Sequence, residues 1–334
     1  ITWDTDGYLD TPPNVNLFYD DGAPWTYPNQ FGGNIQDSGL YTSWSVPDAI
    51  SETVRLRVAS AAFNTTVYGD MTADFIIKGA LTDSFPTGSD VLVVGLPVPG
   101  GIQYTKSGNI GNLRIEHVHT GCGTDAVLTA GTTEATSFPW TVSATDGCSG
   151  NVIDIGTAKS HKFKFTGLTH EANANLKVQE ETPLFQIRGD LYEAEPGLTA
   201  NEVYFIGNTT YIKWKSRGNI GNVKIRADKN NGTDGYTMVV SGPDVTYPDG
   251  ESIPYNYNGG AGAGSWLWNI PNEPSTSYRV RIESIDNPVG GAGGVNMETK
   301  AISLQTFTVR GTVTVTEPNG PQAPQWKSGD TKNI

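Results

Sequence analysis

The sequence predicts an all-β protein built of tandem β-sandwich domains in series, and three observations carry that expectation. Turn formers are abundant, with Gly 40 and Pro 20 in 334 residues, and they separate short alternating apolar runs along the chain. No stretch shows the apolar period of an amphipathic helix of three or more turns. One stretch, Ile212 to Gly232, occurs three times.

The repeated stretch reads IKWKSRGNIGNVKIRADKNNG. Ile212 and Trp214 alternate with polar residues, a glycine turn follows from Gly218 to Gly221, and Val223, Ile225 and Ala227 alternate again. The spacing predicts a hairpin-like unit of strand, tight connection and strand. Residues 102 to 121 (IQYTKSGNIGNLRIEHVHTG) and 1 to 22 (ITWDTDGYLDTPPNVNLFYDDG) are its other copies.

Other landmarks recur in phase. Trp3, Tyr104 and Trp214 mark the first strand at intervals of about 100–110 residues, the size of an immunoglobulin-type sandwich. Tyr41 to Pro47 and Ser265 to Pro271 supply a tryptophan strand, with Ser137 to Val142 as a weaker copy; Trp44, Trp140 and Trp268 are expected in the three cores. Val54 to Val58, His161 to Phe165 and Tyr278 to Ile282 alternate apolar with basic residues, so one face meets a core and the other meets water. Each repeat ends on Phe75 to Gly79, Phe185 to Gly189 or Phe307 to Gly311.

These landmarks divide the chain into a domain over 1–79 that lacks its opening strand, one over 80–189, one over 190–311, and a joint with a further opening strand over 312–334. The joining segments Ala80 to Ser89, Asp190 to Ala200 and Thr312 to Gln325 are short, which favours an elongated rod over loosely tethered beads. Gln325 and Trp326 take the place of an opening strand, and overlaying Ile334 on Ile1 puts the next copy of Trp3 in phase. The chain is therefore expected to be a processed or partial piece of a longer product. It reads either as one period of a covalent array or as a subunit whose tail (Gln325, Trp326, Ile334) supplies a strand beside Ile1 and Trp3 of the next. Both give a head-to-tail homopolymer.

The third repeat, with its I-x-W strand, G-x-I-G-N-V-K-I turn, S-W-x-W-x-I-P strand and Y-R-V-R-I strand, resembles the Ig-like repeats of bacterial and archaeal surface proteins. These are related to the Ser-Thr-rich GPI-anchored membrane family domain of fungal walls. The resemblance is best over 212–310, good over 1–79 and partial over 102–189. It implies tandem Ig-like β-sandwiches, an extracellular or cell-surface location, and no catalytic residues.

Charge and chemistry narrow the function. A net charge of −13 opposes nucleic acid and anionic membrane surfaces. The longest apolar run, Val91 to Val98, is too short to span a bilayer. Cys122 and Cys148 suit a loop-stapling disulfide in an oxidising compartment, against the alternative of two reduced thiols. Nucleophile elbow, P-loop and zinc-protease motifs are absent from the sequence. His117 and His119 alternate on one strand, where a shared face could chelate a metal, but no cluster with metal-ligand spacing sits beside them and a surface strand is the expected reading. Asp4, Asp6, Asp20 and Asp21 lie in loops where Ca²⁺ is one reading and ordinary turn chemistry the other. Asn64, Asn208 and Asn231 open glycosylation sequons.

The leading expectation is a non-enzymatic extracellular structural repeat protein forming a filament, sheath or surface layer, with no cofactor. One alternative is an adhesin or carbohydrate-binding module, with Trp25, Tyr27, Tyr255 and Tyr257 stacking on cell-wall glycans. Another is an accessory region of a large secreted enzyme.

Overall fold

A strand that buries one face must alternate apolar and polar residues, and this chain does so along its landmark strands. A computed structural model describes residues 1–7, 13–120, 125–143, 160–218, 220–260, 262–286, 298–315, 328–329 and 331. Among the described residues every regular element is a strand. The chain forms two compact units, one ending at Gln186 and one beginning at Ile187 in the described chain.

The first unit opens with β1 (Asn14–Asp20), β2 (Asn29–Gln36), β3 (Ser51–Ser60), β4 (Tyr68–Asp70) and β5 (Phe75–Ile77). They make one sheet of order β2-β1-β3-β4, with β5 also paired to β3. Val15, Leu17, Val54 and Leu56 point inward and are buried. Arg55 and Arg57 point outward, where they pair with Asp74 at 2.5 Å and Asp70 at 2.6 Å. Their guanidinium groups also cover aromatic rings. Arg55 sits over Trp25 at 4.5 Å, and Arg57 lies between Tyr27 and Tyr68 at 4.1 and 4.0 Å.

The same unit continues with β6 (Ala80–Phe85), β7 (Val91–Val93), β8 (Ile102–Ser107), β9 (Leu113–His119), β10 (Ala126–Thr132), β11 (Ser137–Phe138), β12 (His161–Gly167) and β13 (Gln179–Glu181); β14 (Gln186–Arg188) follows. Two sheets, β10-β9-β12-β13 and β11-β8-β6, supply its second sandwich. Tyr104 meets Phe165 between them at 5.5 Å, and both are fully buried. Asn109 donates its backbone N–H to Asp48 Oδ1 at 2.7 Å, which ties the second repeat to the first.

The second unit holds β15 (Asp190–Glu195), β16 (Val203–Phe205), β17 (Thr209–Arg217), β18 (Asn222–Asp228), β19 (Met238–Val239), β20 (Ile253–Pro254), β21 (Ala263–Asn269), β22 (Ser275–Ser284), β23 (Lys300–Ile302) and β24 (Phe307–Arg310). One sheet has the order β15-β17-β21; the other runs β16-β24-β22-β18-β19, with β20 on β18 and β23 on β22. Trp214, Trp266 and Trp268 from the first sheet meet Tyr278, Val280, Ile282 and Phe307 from the second, all buried. This is a β-sandwich whose largest buried side chains are aromatic, set among a greater number of aliphatic ones.

Packing there is tight enough to exclude a methyl group. A Cβ at Gly264 would stand 2.3 Å from the Trp214 ring, itself held by Nε1 donating to the Tyr255 carbonyl at 2.8 Å. Gly264→Ala should cost about 1–3 kcal/mol through overpacking. Faster hydrogen exchange along β17 and β21 would register it, and unchanged exchange would contradict it.

Two sequence expectations change in kind. The repeated stretch is not a hairpin. β17 pairs with β15 and β21, whereas β18 pairs with β19, β20 and β22, so the glycine turn carries the chain from one sheet to the other. Gly218 and Gly221 have positive φ of 75° and 67°, and Ile220 between them is 1 % exposed. The second repeat does the same with Gly108, Gly111 and Ile110. The isoleucine anchors the arch between the sheets, while the glycines adopt backbone angles that strain other residues. The joining segments also differ from expectation, because two of them are themselves strands. β6 pairs with β8 and β15 with β17.

Candidate functional site: an open groove in the first sandwich

Each later repeat has a strand lying beside the strand that carries its landmark aromatic. In the third repeat β15 pairs with β17 and packs over β22 and β23. Leu191 and Ala194 of β15 are 3 % and 1 % exposed, and beneath them Val280 and Ile282 are fully buried. In the second repeat β6 fills the same place beside β8, with Leu81 as its buried anchor.

The first repeat has an open groove of about 640 Å³ at this position. One wall is the segment Ile1 to Asp6; the floor and other wall are Val15, Leu56, Val58, Ala59 and Val67 to Met71 of β1, β3, β4 and their flanks. The correspondence follows from the pairings. β4 pairs with Arg57, Val58 and Ala59 as β23 pairs with Arg281, Ile282 and Glu283. Val58 therefore stands where Ile282 does, yet it is only half-buried. Tyr68 is 50 % exposed and Met71 37 %.

The wall Ile1 to Asp6 is held from one side. Thr2 bridges Leu40, the Trp3 N–H donates to the Gly39 carbonyl at 3.1 Å, and the Tyr41 N–H donates to the Ile1 carbonyl at 2.8 Å. Trp3 Nε1 and Thr5 Oγ1 both donate to Asp37 Oδ1, at 2.7 and 2.9 Å. Among the described residues no strand pairs with the other edge of this segment. Asp4 and Asp6 are exposed on it, at the positions of Lys215 and Arg217 in β17.

Of the sequence-predicted residues, Ile1 and Trp3 stand in the groove wall, whereas Gln325, Trp326 and Ile334 lie outside the described residues. Cys122 and Cys148 also lie outside them. Sequence reasoning placed Leu56 and Val58 on a core-facing strand without a groove, and it missed Tyr68 and Met71. It also missed the frame that ties the three joints together. Gly79 to Pro86, Gly189 to Pro196 and Gly311 to Pro318 have one length, with Leu81, Leu191 and Val313 at the same step. That frame was the signal available. In the third copy Val313 is 96 % exposed and Val315 67 %.

Of the acidic residues, Asp4, Asp6 and Asp21 are exposed, whereas Asp20 is buried at the end of β1. Both Asp20 oxygens accept backbone hydrogen bonds, from Gly22 at 3.3 Å and from Thr26 and Tyr27 at 2.7 and 2.8 Å. Burial pushes this carboxyl up, but the N–H donors outweigh it and hold it below the ordinary aspartate value. Asp228 occupies the matching place in the third repeat. Among the described residues no three His, Cys, Asp or Glu side chains form a group able to hold a metal ion. His117 and His119 share a face, but it is not the surface one expected from the sequence, because His117 is 3 % exposed. Their rings stack on His161 at 5.2 and 4.6 Å, and His117 Nε2 lies 3.2 Å from His161 Nδ1.

Asn64, Asn208 and Asn231 are all exposed. Among the loop aromatics, Trp25 and Tyr27 carry arginines on their faces, and Tyr257 packs edge-on to Tyr247 while its hydroxyl donates to Asp244. Among the described residues no helix is long and apolar enough to cross a membrane.

No protein-family model matches the chain, and no curated protein is similar to it. Among solved structures, the fibronectin(III)-like modules of Clostridium thermocellum CbhA are 11 % identical, with a TM-score of 0.21, covering 69 % of this chain and 94 % of that one. The N-terminal four Ig domains of Dscam1 isoform 9.44 are 10 % identical, with a TM-score of 0.29, over 90 % of this chain and 66 % of that one. The N-terminal eight Ig domains of DSCAM isoform 1.30.30 are 11 % identical, with a TM-score of 0.23, over 90 % and 37 %.

Proposed function

We propose that this is a non-enzymatic structural repeat protein of the cell exterior, resembling Ig-like surface repeats. In this reading it builds a head-to-tail filament, sheath or surface layer, by covalent tandem continuation or by strand donation. The observation that carries the reading is the groove of the first sandwich, which matches the place filled by β6 and β15 in the other two. A segment bridged on one edge only among the described residues, beside an apolar floor, is a template for pairing with another segment. A contact between unlike ends of a molecule does not close on itself and extends into a fibre. The arginine cover on Trp25 and Tyr27 makes glycan stacking there the weaker reading. Electron micrographs of the native assembly test the proposal. Regular fibres or lattices are expected, and dispersed particles at high concentration would overturn it.

A further inference from the structure

We propose that the groove of the first sandwich binds Thr312 to Val315 of a second copy of the chain as an added strand. This rests on the head-to-tail reading above and names its joint.

Three observations point to this occupant. The first is position. Val313 stands where Leu81 and Leu191 stand, and those residues are 7 % and 3 % exposed while Val313 is 96 % exposed. A residue that is the buried anchor in two copies of a frame is left in water in the third. The second is the receiving surface. Leu56, Val58, Tyr68 and Met71 line the groove, where the matching floor of the third repeat is sealed by β15. The third is charge.

In the filled slot of the third repeat, acidic β15 faces basic β17. Asp190 pairs with Arg217 at 3.2 Å, Glu193 with Lys215 at 2.5 Å and Glu195 with Lys213 at 3.3 Å. The wall of the open groove carries Asp6 and Asp4 where β17 carries Arg217 and Lys215. A strand like β15 would set carboxylate against carboxylate there, which is destabilising. Thr312-Val313-Thr314-Val315 carries no charge and brings none of that repulsion. The groove therefore suits this uncharged segment better than it suits an acidic strand like β15. By the register of β15 on β17, Val313 comes opposite Thr5, and Thr314 opposite Asp4.

The test uses the full chain and follows assembly by sedimentation and by negative-stain micrographs. Val313→Asp should weaken assembly about tenfold or more, because the anchor must then bury a charge; at 96 % exposed, the site leaves the subunit fold intact. A synthetic peptide of residues 311–318 should block wild-type assembly. Mixing Thr5→Cys with Val313→Cys molecules should give an intermolecular disulfide that wild type does not give, since paired strands bring such residues within bridging distance. Fibres that survive Val313→Asp and ignore the peptide would overturn this joint and leave the filament reading standing. No assembly by the wild type, with no peptide binding, would overturn both.

Discussion

Replacing Trp268 with alanine should destabilise the third sandwich by about 3–5 kcal/mol, the range for emptying a large buried aromatic site. Trp268 is 1 % exposed and packs edge-on to Phe307 at 6.2 Å and tilted on Tyr278 at 6.4 Å. Its strand is fixed along β17 from Thr209 to Lys215, so the backbone cannot move in to fill the space. The neighbours are equally constrained, with Trp266 Nε1 donating to the Tyr247 carbonyl at 2.9 Å. The cavity stays open and its lining loses contacts. Trp44, the matching residue of the first repeat, is half-buried against Phe31 at 4.8 Å. Trp44→Ala should cost less. Amide hydrogen exchange resolves the two domains separately, and equal effects of the two substitutions would contradict this account.

The second large effect is expected at Asp228, which is 2 % exposed. Its carboxylate accepts backbone hydrogen bonds from Asn230 at 2.7 Å, Gly232 and Asp234 at 2.9 Å, and Tyr236 at 3.3 Å. Removing it strands four donors, and bonds to a charged acceptor contribute roughly 1.5–3 kcal/mol each without adding fully. Asp228→Ala should therefore lose about 3–5 kcal/mol at neutral pH. Burial pushes this carboxyl up, but the backbone donors prevail and hold it below 3.8. The folded state thus binds the proton less readily than the unfolded one. The stabilisation is complete above the unfolded value and disappears as pH falls through the folded one. Wild type should lose stability below about pH 4 more steeply than Asp228→Ala. Urea unfolding across pH 2–7 checks this, and parallel curves would exclude the linkage.

Much of the architecture is legible in the sequence, and the failures have a common cause. The phase of Trp3, Tyr104 and Trp214 and the alternation in Val54 to Val58 or Tyr278 to Ile282 report local backbone geometry, which side-chain order reveals directly. The partner of a strand is not a local property. Two alternating runs around Gly218 and Gly221 look the same whether the second folds back on the first or crosses to another sheet. The joints Ala80 to Phe85 and Asp190 to Glu195 looked like linkers because their anchors are sparse. Leu81 alone is buried in β6, while Leu191 and Ala194 share the work in β15. Asp20 and Asp228 are a case of ambiguous chemistry. Carboxylates near glycines serve either a cation or a ring of backbone donors, and composition does not say which. The groove was half legible. Ile1 and Trp3 were marked by the repeat, but its floor is made of ordinary core residues whose exposure depends on what covers them.

The third repeat closes by parallel pairing of its early strand β16 with its final strand β24, Val203 against Thr308 and Phe205 against Arg310. About a hundred residues separate the partners, so most of the repeat must be ordered before this contact forms. Such a topology folds slowly, because the loss of chain entropy precedes the gain from pairing. During synthesis β15 and β16 emerge long before β24 is available. In the nascent repeat β16 is the strand that waits for its partner, whereas β17, the partner of β15, follows it closely in the chain and can pair with it early.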